Sequence, residues 1–219
     1  MRFHIVTLFP KMFDSYLGDS ILKRALAEKK IHVDFYNPRD VATNKHNKVD
    51  DKPYGGGPGM VMSVQPLVDT VTKIRKKIQR RKNTKVKTIL TSPGGSQFTN
   101  TVAQKLTKTY TDVIIICGRY EGIDTRVRKI LRAEEMSVGD YVLTGGELAA
   151  MIMIDATARQ VGGVLGKLES LEENRISSHE MYTRPEVFEH EGKKYRVPKV
   201  LLSGDHKKID AWRKGEDKK

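Results

Sequence analysis

The chain has 219 residues, with 40 Lys and Arg against 27 Asp and Glu, and a formal net charge of +13. This length allows one substantial domain of about 150 residues and a smaller appendage. No apolar run approaches the roughly 18 residues that a membrane span needs, which argues against a membrane protein. The excess of positive charge favours a polyanionic partner, most often a nucleic acid.

The only cysteine is Cys117, so no internal disulfide can form. It lies in an apolar strand pattern, which predicts a buried, unreactive thiol. The first residues alternate like a strand and offer no signal-peptide cleavage site. We therefore expect a cytoplasmic protein.

Apolar alternation predicts strands at residues 3–9, 31–36, 86–91 and 113–117, with a fifth near 137–143. Helical spacing occurs between them, at residues 20–29, 64–81, 101–110 and 124–132. Strands that alternate with helices indicate an α/β fold with a parallel sheet covered on both faces.

A further helix is predicted at residues 147–158, and it is apolar almost all round. Such a helix is buried on several sides, either in the core of its own fold or against a second subunit. Asp155 and Arg159 lie four residues apart on it, so they either form an ion pair or serve a function.

The composition changes after this helix and divides the chain. We expect one domain at residues 1–162, a linker at 163–176 and a small, mainly helical domain at 177–219. In the last segment, residues 200–205 are typical of a short strand or turn that places Asp205 as the N-cap of a helix over 206–213. Trp212 either packs this small domain or stacks on a base, and packing is favoured.

Residues 73–87 contain nine basic side chains in fifteen positions. The apolar residues Leu67, Val71, Ile74 and Ile78 keep helical spacing there, so the charges either form a solvated helix face or contact phosphates. The lysine-rich tail after Lys193 is a second candidate for phosphate contacts.

Two glycine-bearing turns, at residues 118–122 and 137–146, follow apolar runs and open toward helices. Glycine lets backbone N–H and C=O groups approach a flat, polar cofactor closely. The turns match neither the dinucleotide fingerprint nor the P-loop. A third loop, at residues 50–60, holds four glycines and two prolines within seven residues, which indicates a specific, functional loop shape.

These segments occur in order with Ser92-Pro93, residues 163–166, residues 182–185, and residues 201–204 followed by His206 and Trp212-Arg213. Together they closely resemble the TrmD family of bacterial tRNA (guanine-N1)-methyltransferases, of the SPOUT class. The resemblance implies a trefoil-knotted α/β domain, a homodimer, S-adenosylmethionine as methyl donor, magnesium dependence and tRNA as the partner.

The resemblance also implies residue roles. Three loops would surround the cofactor. The first contributes Thr91, Ser92 and Pro93, and the second contributes Gly118, Tyr120 and Glu121. The third contributes Ser137, Val138, Gly139, Asp140, Tyr141, Val142, Leu143, Gly145 and Gly146. Glu121 is placed to hold a polar group of the cofactor or of the incoming guanine. Substrate contacts would come from Asp50, Gly59, Arg184 and His206, and Arg159 matches an arginine used in catalysis.

One position departs from the family pattern. The family has a catalytic aspartate just after the linker, and the matching residue here is Asn174, whose amide cannot accept a proton at neutral pH. Glu173 is the nearest carboxylate and our predicted general base. Further candidates are Glu172, His179 and Glu180.

Three functions are therefore compared: a tRNA (guanine-N1)-methyltransferase, a tRNA-binding relative that has lost turnover, and a knotted methyltransferase with another RNA target. The glycine-rich loop at residues 50–60 favours the first, since a non-catalytic binder has little need of a guanine site. The six histidines show no metal-ligand spacing, so no protein metal site is predicted.

Overall fold

The structure is a computed structural model that describes residues 1–44, 46–165 and 180–215. The chain divides into two compact units, Met1–Leu165 and Gly166–Lys219. The strands of the first unit are β1 (Arg2–Val6), β2 (His32–Tyr36), β3 (Asp50–Asp51), β4 (Val61–Met62), β5 (Val86–Gln97), β6 (Asp112–Ile116) and β7 (Glu134–Ser137). Five of them form one sheet in the order β2-β1-β6-β5-β7, and each neighbouring pair is parallel.

The helices of the first unit follow the predicted alternation. They are α1 (Asp14–Leu17), α2 (Ser20–Ala27), α3 (Val64–Gln79), α4 (Asn100–Thr109), α5 (Thr125–Leu131) and α6 (Glu147–Ala158), with 3₁₀ turns at Pro10–Phe13 and Pro38–Val41. In the part of the chain that the structure describes, no helix has both the length and the apolar character needed to cross a membrane.

Side chains on the central strand β6 alternate between two hydrophobic clusters. Val113 and Ile115 pack with α2, α4 and α6, whereas Ile114 and Ile116 pack with α3 and α5. This period of two places one layer of helices on each face of the sheet. The predicted α/β class, with a parallel sheet covered on both faces, is confirmed.

The fifth strand differs from the prediction. It covers Glu134–Ser137 rather than residues 137–143, which follow it as a loop. The apolar residues that suggested a strand do not form a core there, since Val142 is 82% exposed. The glycine and aspartate at positions 139 and 140 favour a turn after Ser137.

The second unit is described from residue 180 to residue 215. A hairpin that the sequence analysis did not predict pairs β8 (Val187–His190) with β9 (Lys193–Arg196), and two helices follow, α7 (Lys199–Leu202) and α8 (His206–Lys214). Residues 199–202 are thus one helical turn rather than a strand. The Asp205 carboxylate accepts hydrogen bonds from the backbone N–H groups of Lys207 and Lys208, which confirms the predicted N-cap. The ring of Trp212 packs 6.2 Å from that of Tyr182.

A buried polar cluster supports the start of strand β6. Asp112 is fully buried and accepts hydrogen bonds from His4 Nε2 at 2.8 Å, from the Thr111 hydroxyl at 2.7 Å and from Arg81. Burial alone would raise the pKa of Asp112, but these donors outweigh it and lower the pKa. Burial lowers the pKa of His4, which its bond to Asp112 offsets only in part.

The lowered pKa of His4 predicts a loss of stability in weak acid. The unfolded chain takes up a proton on this imidazole near its ordinary pKa of about 6.5, whereas the folded chain resists it until lower pH. The contribution of neutral His4 to the free energy of unfolding is therefore fully present above about pH 6.5, and it is lost as the pH falls below that value. We expect the urea midpoint to decrease between pH 7.5 and pH 5.5. The variant His4→Gln, which can still donate to Asp112 but cannot titrate, should show a smaller decrease, and parallel pH profiles would contradict this account.

Candidate active site

The predicted cofactor residues lie at one edge of the sheet. Strands β5, β6 and β7 are parallel, and the pairing of β5 with β6 ends at Leu90 and Ile116, so Thr91, Gly118 and Ser137 lie near the same edge of the sheet. Open parallel sheets bind ligands outside this edge. The fold therefore brings together three loops that are far apart in sequence.

The Thr91 hydroxyl joins two of these loops to each other. It donates to the Ile116 carbonyl at 3.2 Å and accepts from the Gly118 N–H at 3.1 Å. The Gly146 N–H in turn donates to the Gly118 carbonyl at 2.8 Å. A Cβ atom on Gly146 would collide with the Thr91 hydroxyl and lie 2.7 Å from the Gly118 nitrogen. Only glycine fits where the third loop meets the other two.

Strand β5 bulges just beyond Thr91. Both Thr91 and Ser96 pair with Met136 of β7, so residues 92–95 are ejected from the ladder. Ser92 and Pro93 belong to this bulge, and Pro93 has no N–H to contribute to a ladder. The bulge thus directs both residues away from regular pairing.

The loop after β7 is held in shape by contacts within itself. Ser137 Oγ donates to the Gly139 carbonyl at 2.8 Å, and the Tyr141 ring lies so close to Gly139 that an added Cβ would collide with it. Tyr141 is 53% exposed, and Asp140 is also exposed, whereas Val138 and Leu143 are half-buried.

A buried ion pair that the sequence analysis missed anchors the middle loop. Arg119 Nε lies 2.8 Å from Glu147 Oε2, without the alignment of a hydrogen bond, and Glu147 Oε1 accepts from the Thr7 hydroxyl at 2.7 Å. Arg119 also covers the ring of Phe9 at 4.5 Å and fills the space beside Gly145. A buried carboxylate needs such a partner. The sequence signal was the charge of Glu147 at the first turn of an otherwise apolar helix.

The glycine-rich loop is held against the same middle loop. The Glu121 N–H donates to the Met60 carbonyl at 3.0 Å, and the Met62 N–H donates to the Gly122 carbonyl at 2.9 Å. The Glu121 side chain lies directly beside Gly59, whose φ is +76°. The predicted substrate residue Gly59 therefore contacts a predicted cofactor residue.

Asp50 is brought into the site in the same way. It begins the short strand β3, and residues 52–60 form the loop between β3 and β4. Partial burial and the Asp50 carboxylate, in that order, raise the pKa of Tyr120. A carboxylate and a phenol thus face each other between the glycine-rich loop and the middle loop.

The backbone of Gly118 is closely surrounded by other groups of the site. A Cβ there would point between the Thr91 carbonyl, 3.3 Å away, and the Ile123 side chain, 3.8 Å away. Backbone polar groups and one apolar side chain therefore lie next to Gly118, and these are the kinds of group that hold the adenine and ribose of a cofactor such as S-adenosylmethionine. Magnesium fits less well. Across residues 1–44, 46–165 and 180–215, no group of three or more His, Cys, Asp and Glu side chains could hold a metal ion.

Arg159 follows α6 as its C-cap. The alternative of an ion pair with Asp155 is wrong: the Asp155 carboxylate instead accepts a hydrogen bond from the Tyr16 hydroxyl, which raises the pKa of Tyr16 to about 12. Within the ranges that the structure describes, the Arg159 guanidinium has no ion-pair partner.

The remaining predicted residues are not placed at this site. Glu173, the predicted base, lies outside the described residues, as do Glu172 and His179. Arg184 and His206 are exposed residues of the second unit, which is described by itself. Glu180, also in that unit, accepts a hydrogen bond from the Tyr182 hydroxyl at 2.9 Å.

Known proteins are similar in sequence to almost the whole of this chain. The model of one family, described as tRNA (Guanine-1)-methyltransferase TrmD, matches residues 1–219. A tRNA (guanine-N(1)-)-methyltransferase of Clostridioides difficile is 47% identical over 220 residues, which cover 99% of this chain and 92% of the relative. The enzyme of the same name from Carboxydothermus hydrogenoformans is 48% identical, with 98% and 81% covered. The one from Dehalococcoides mccartyi is 46% identical, with 99% and 85% covered. The chain therefore belongs to the TrmD family of tRNA (guanine-N1)-methyltransferases.

Proposed function

We propose that this protein transfers a methyl group from S-adenosylmethionine to N1 of the guanine immediately 3′ of the anticodon in tRNA. The observation that carries the proposal is the docking of the glycine-rich loop on the cofactor loops. Asp50 faces Tyr120 and Gly59 abuts Glu121, so a nucleobase held by one loop lies beside a cofactor held by the other. Two reactants positioned in this way react far faster than they do free in solution.

S-adenosylmethionine would be held by the fifteen loop residues predicted above, with backbone groups near Thr91, Gly118 and Gly139 binding its polar edges. When bound, it supplies an electrophilic methyl group. The protein's own part is to orient the cofactor, exclude water and leave room for the guanine beside Glu121.

The guanine must lose the N1 proton as the methyl arrives, and negative charge then develops on O6. Arg159 would supply the positive charge that O6 needs, since the Asp155 carboxylate on the same helix is hydrogen-bonded to Tyr16 instead. Glu173 would accept the proton, because a glutamate reaches one methylene further than the aspartate that Asn174 replaces.

We further propose a homodimer. A patch of apolar side chains stands exposed where α6 packs against the 3₁₀ turn Pro10–Phe13. Its members are between 41% and 48% exposed: Phe9, Met12, Tyr16, Leu148 and Ile152. An exposed cluster of this kind marks an interaction surface, and a second copy of the chain would cover it. The patch also explains why α6 carries leucine and isoleucine on its outer face.

The resemblance to the family suggests roles for both units of the chain. The second unit would be a reduced tRNA-binding domain, joined by the linker at residues 163–176 and using Arg184, His206 and its lysines on the anticodon arm. The family's trefoil knot is expected in the first unit, supported by the close passage of Gly146 beside Thr91 and Gly118. Magnesium dependence is proposed from the resemblance alone, and a cytoplasmic location from the single, buried cysteine.

The variant Glu173→Gln tests the proposed base. It should reduce the methylation rate by about 10²–10⁴-fold, the usual effect of losing a positioned base, while leaving S-adenosylmethionine binding unchanged. The neighbouring variant Glu172→Gln is the matched control and should have much less effect. Asn174→Asp, which restores the family's residue, should raise the rate. The assay measures methyl transfer to tRNA transcripts that carry guanine or adenine 3′ of the anticodon.

Full activity of Glu173→Gln would place the base elsewhere, with Glu180 and His179 next to test. An unaltered protein that binds tRNA and cofactor but transfers no methyl group would contradict the proposed reaction and favour the tRNA-binding relative.

The variant Gly118→Val tests the cofactor site. Its side chain would press on the Thr91 carbonyl and on Ile123, where the backbone is expected to contact the cofactor. We expect at least a roughly tenfold loss of S-adenosylmethionine affinity by calorimetry, which corresponds to about 1.4 kcal/mol. Gly162→Val is the control, because no atom lies within 4 Å of a Cβ at that position. Equal affinity in folded Gly118→Val would remove Gly118 from the site.

The double variant Leu148→Asp/Ile152→Asp tests the dimer. Two carboxylates in the apolar patch should prevent its burial, so that light scattering reports a monomer near 24.8 kDa. Ile130→Asp is the control, since Ile130 is 55% exposed on α5, which packs on the other face of the sheet. A double variant that retains the mass of the unaltered protein would exclude this patch from the interface.

A further inference from the structure

The basic residues of the segment 73–82 fall into two groups in the structure. Arg75 points inward, where it donates to the Thr88 hydroxyl at 2.9 Å and to the Leu131 carbonyl at 2.6 Å, and burial lowers its pKa. Arg81 pairs with the buried Asp112. Both arginines therefore hold the fold together and are not free to bind a partner.

The other group lines a groove of about 590 Å³ between α3 and the end of edge strand β2. We call it the α3 groove. Its walls carry four cations beside one phenol, one hydroxyl and one carboxylate: Tyr36, Asp69, Thr72, Lys73, Lys76, Lys77 and Arg80. The cations recur at helical spacing, so they share one face of α3.

The protein itself leaves most of this charge unbalanced. Lys77 donates to the Tyr36 hydroxyl at 3.2 Å and lies 3.9 Å from the Asp34 carboxylate. The Asp69 carboxylate accepts a hydrogen bond from the side-chain amide of Gln65 on the same helix. Across the described ranges, Lys73, Lys76 and Arg80 have no ion pair. Like charges three and four residues apart repel, so a bound polyanion would stabilise this face.

The groove also has the right shape and place. Lys73 and Arg80 are seven residues apart, which is about 10 Å along a helix axis. Helix α3 begins two residues after Met62, which is bonded to Gly122 in the candidate site, so the groove leads away from that site. Because the cations line the walls of a concave groove, they suit one extended polyanionic chain better than they suit a partner with a flat anionic surface.

We propose that the α3 groove binds the sugar-phosphate backbone of the substrate RNA at a point remote from the methylated guanine. The proposal rests on the proposed function for the identity of the RNA. The positioning of RNA by phosphate contacts carries no sequence information, so the α3 groove would strengthen binding without selecting the target base.

The triple variant Lys73→Glu/Lys76→Glu/Arg80→Glu tests the groove. The control is Lys23→Glu/Lys105→Glu/Lys108→Glu, which changes the net charge equally on exposed residues of α2 and α4, the helices of the opposite sheet face. Fluorescence anisotropy would measure the affinity of full-length tRNA transcript over a series of salt concentrations. We expect the groove variant to lose at least about tenfold in affinity, and its salt slope to fall by about 2–3 if three phosphate contacts are lost. The control should change both quantities much less.

Equal losses in both triple variants would show that net charge alone matters, and unchanged affinity and slope in the groove variant would show a solvated face. Either result overturns the proposal. Calorimetry with S-adenosylmethionine checks that each variant is folded. If the glutamate triple is not folded, the neutral triple Lys73→Gln/Lys76→Gln/Arg80→Gln gives the same comparison. These experiments measure binding, whereas the proposed function is tested by methyl transfer. An unaltered protein that binds tRNA without methylating it would therefore refute the proposed function, and the affinities of the variants would still test the α3 groove.

Discussion

The candidate site depends on the hydroxyl group of Thr91, which occupies the point where three loops meet. It donates to Ile116 and accepts from Gly118, and Gly146 packs so closely against it that no side chain fits between them. A buried hydroxyl with both a donor and an acceptor role satisfied is rigid, because either bond is costly to break in a low-dielectric interior. Since each loop follows a different strand or precedes a helix, one small cluster of hydrogen bonds fixes the relative positions of β5, β6 and α6.

A second layer of interactions extends this rigidity to the nucleotide side of the site. The ion pair between Arg119 and Glu147 joins the middle loop to the first turn of α6, and Phe9 shields it from water. The backbone bonds of Met60 and Met62 to the same loop then align the glycine-rich loop. In the proposed reaction, loops joined in this way would hold the cofactor and the guanine in fixed positions relative to each other, and preorganisation of this kind supplies much of the catalytic advantage of an enzyme.

Much of this could be predicted from sequence, and the exceptions have physical causes. Regular periodicity located every strand of the five-stranded sheet except β7, where Val138, Val142 and Leu143 imitate a strand although glycine and aspartate turn the chain. The short pairs β3-β4 and β8-β9 were not predicted. The glycine-bearing turns indicated loops whose backbones approach closely, and such an approach occurs where Gly146 meets Thr91 and Gly118. The Arg119–Glu147 pair was missed, since residues 28 positions apart give no local signal of contact. Arg75 could not be distinguished from its basic neighbours, because only the packed structure shows which charges of a helix point inward.

The hydrogen bond between Tyr16 and Asp155 has a consequence for how the enzyme responds to alkali. A phenol whose pKa is raised to about 12 remains a neutral donor throughout the range in which proteins operate. Asp155 therefore keeps this partner and does not turn to Arg159, the cation four residues further along the same helix. Loss of that phenolic oxygen would leave the Asp155 carboxylate free to pair with the Arg159 guanidinium, one helical turn further along. A change at Tyr16 would thus act on Arg159 without touching it.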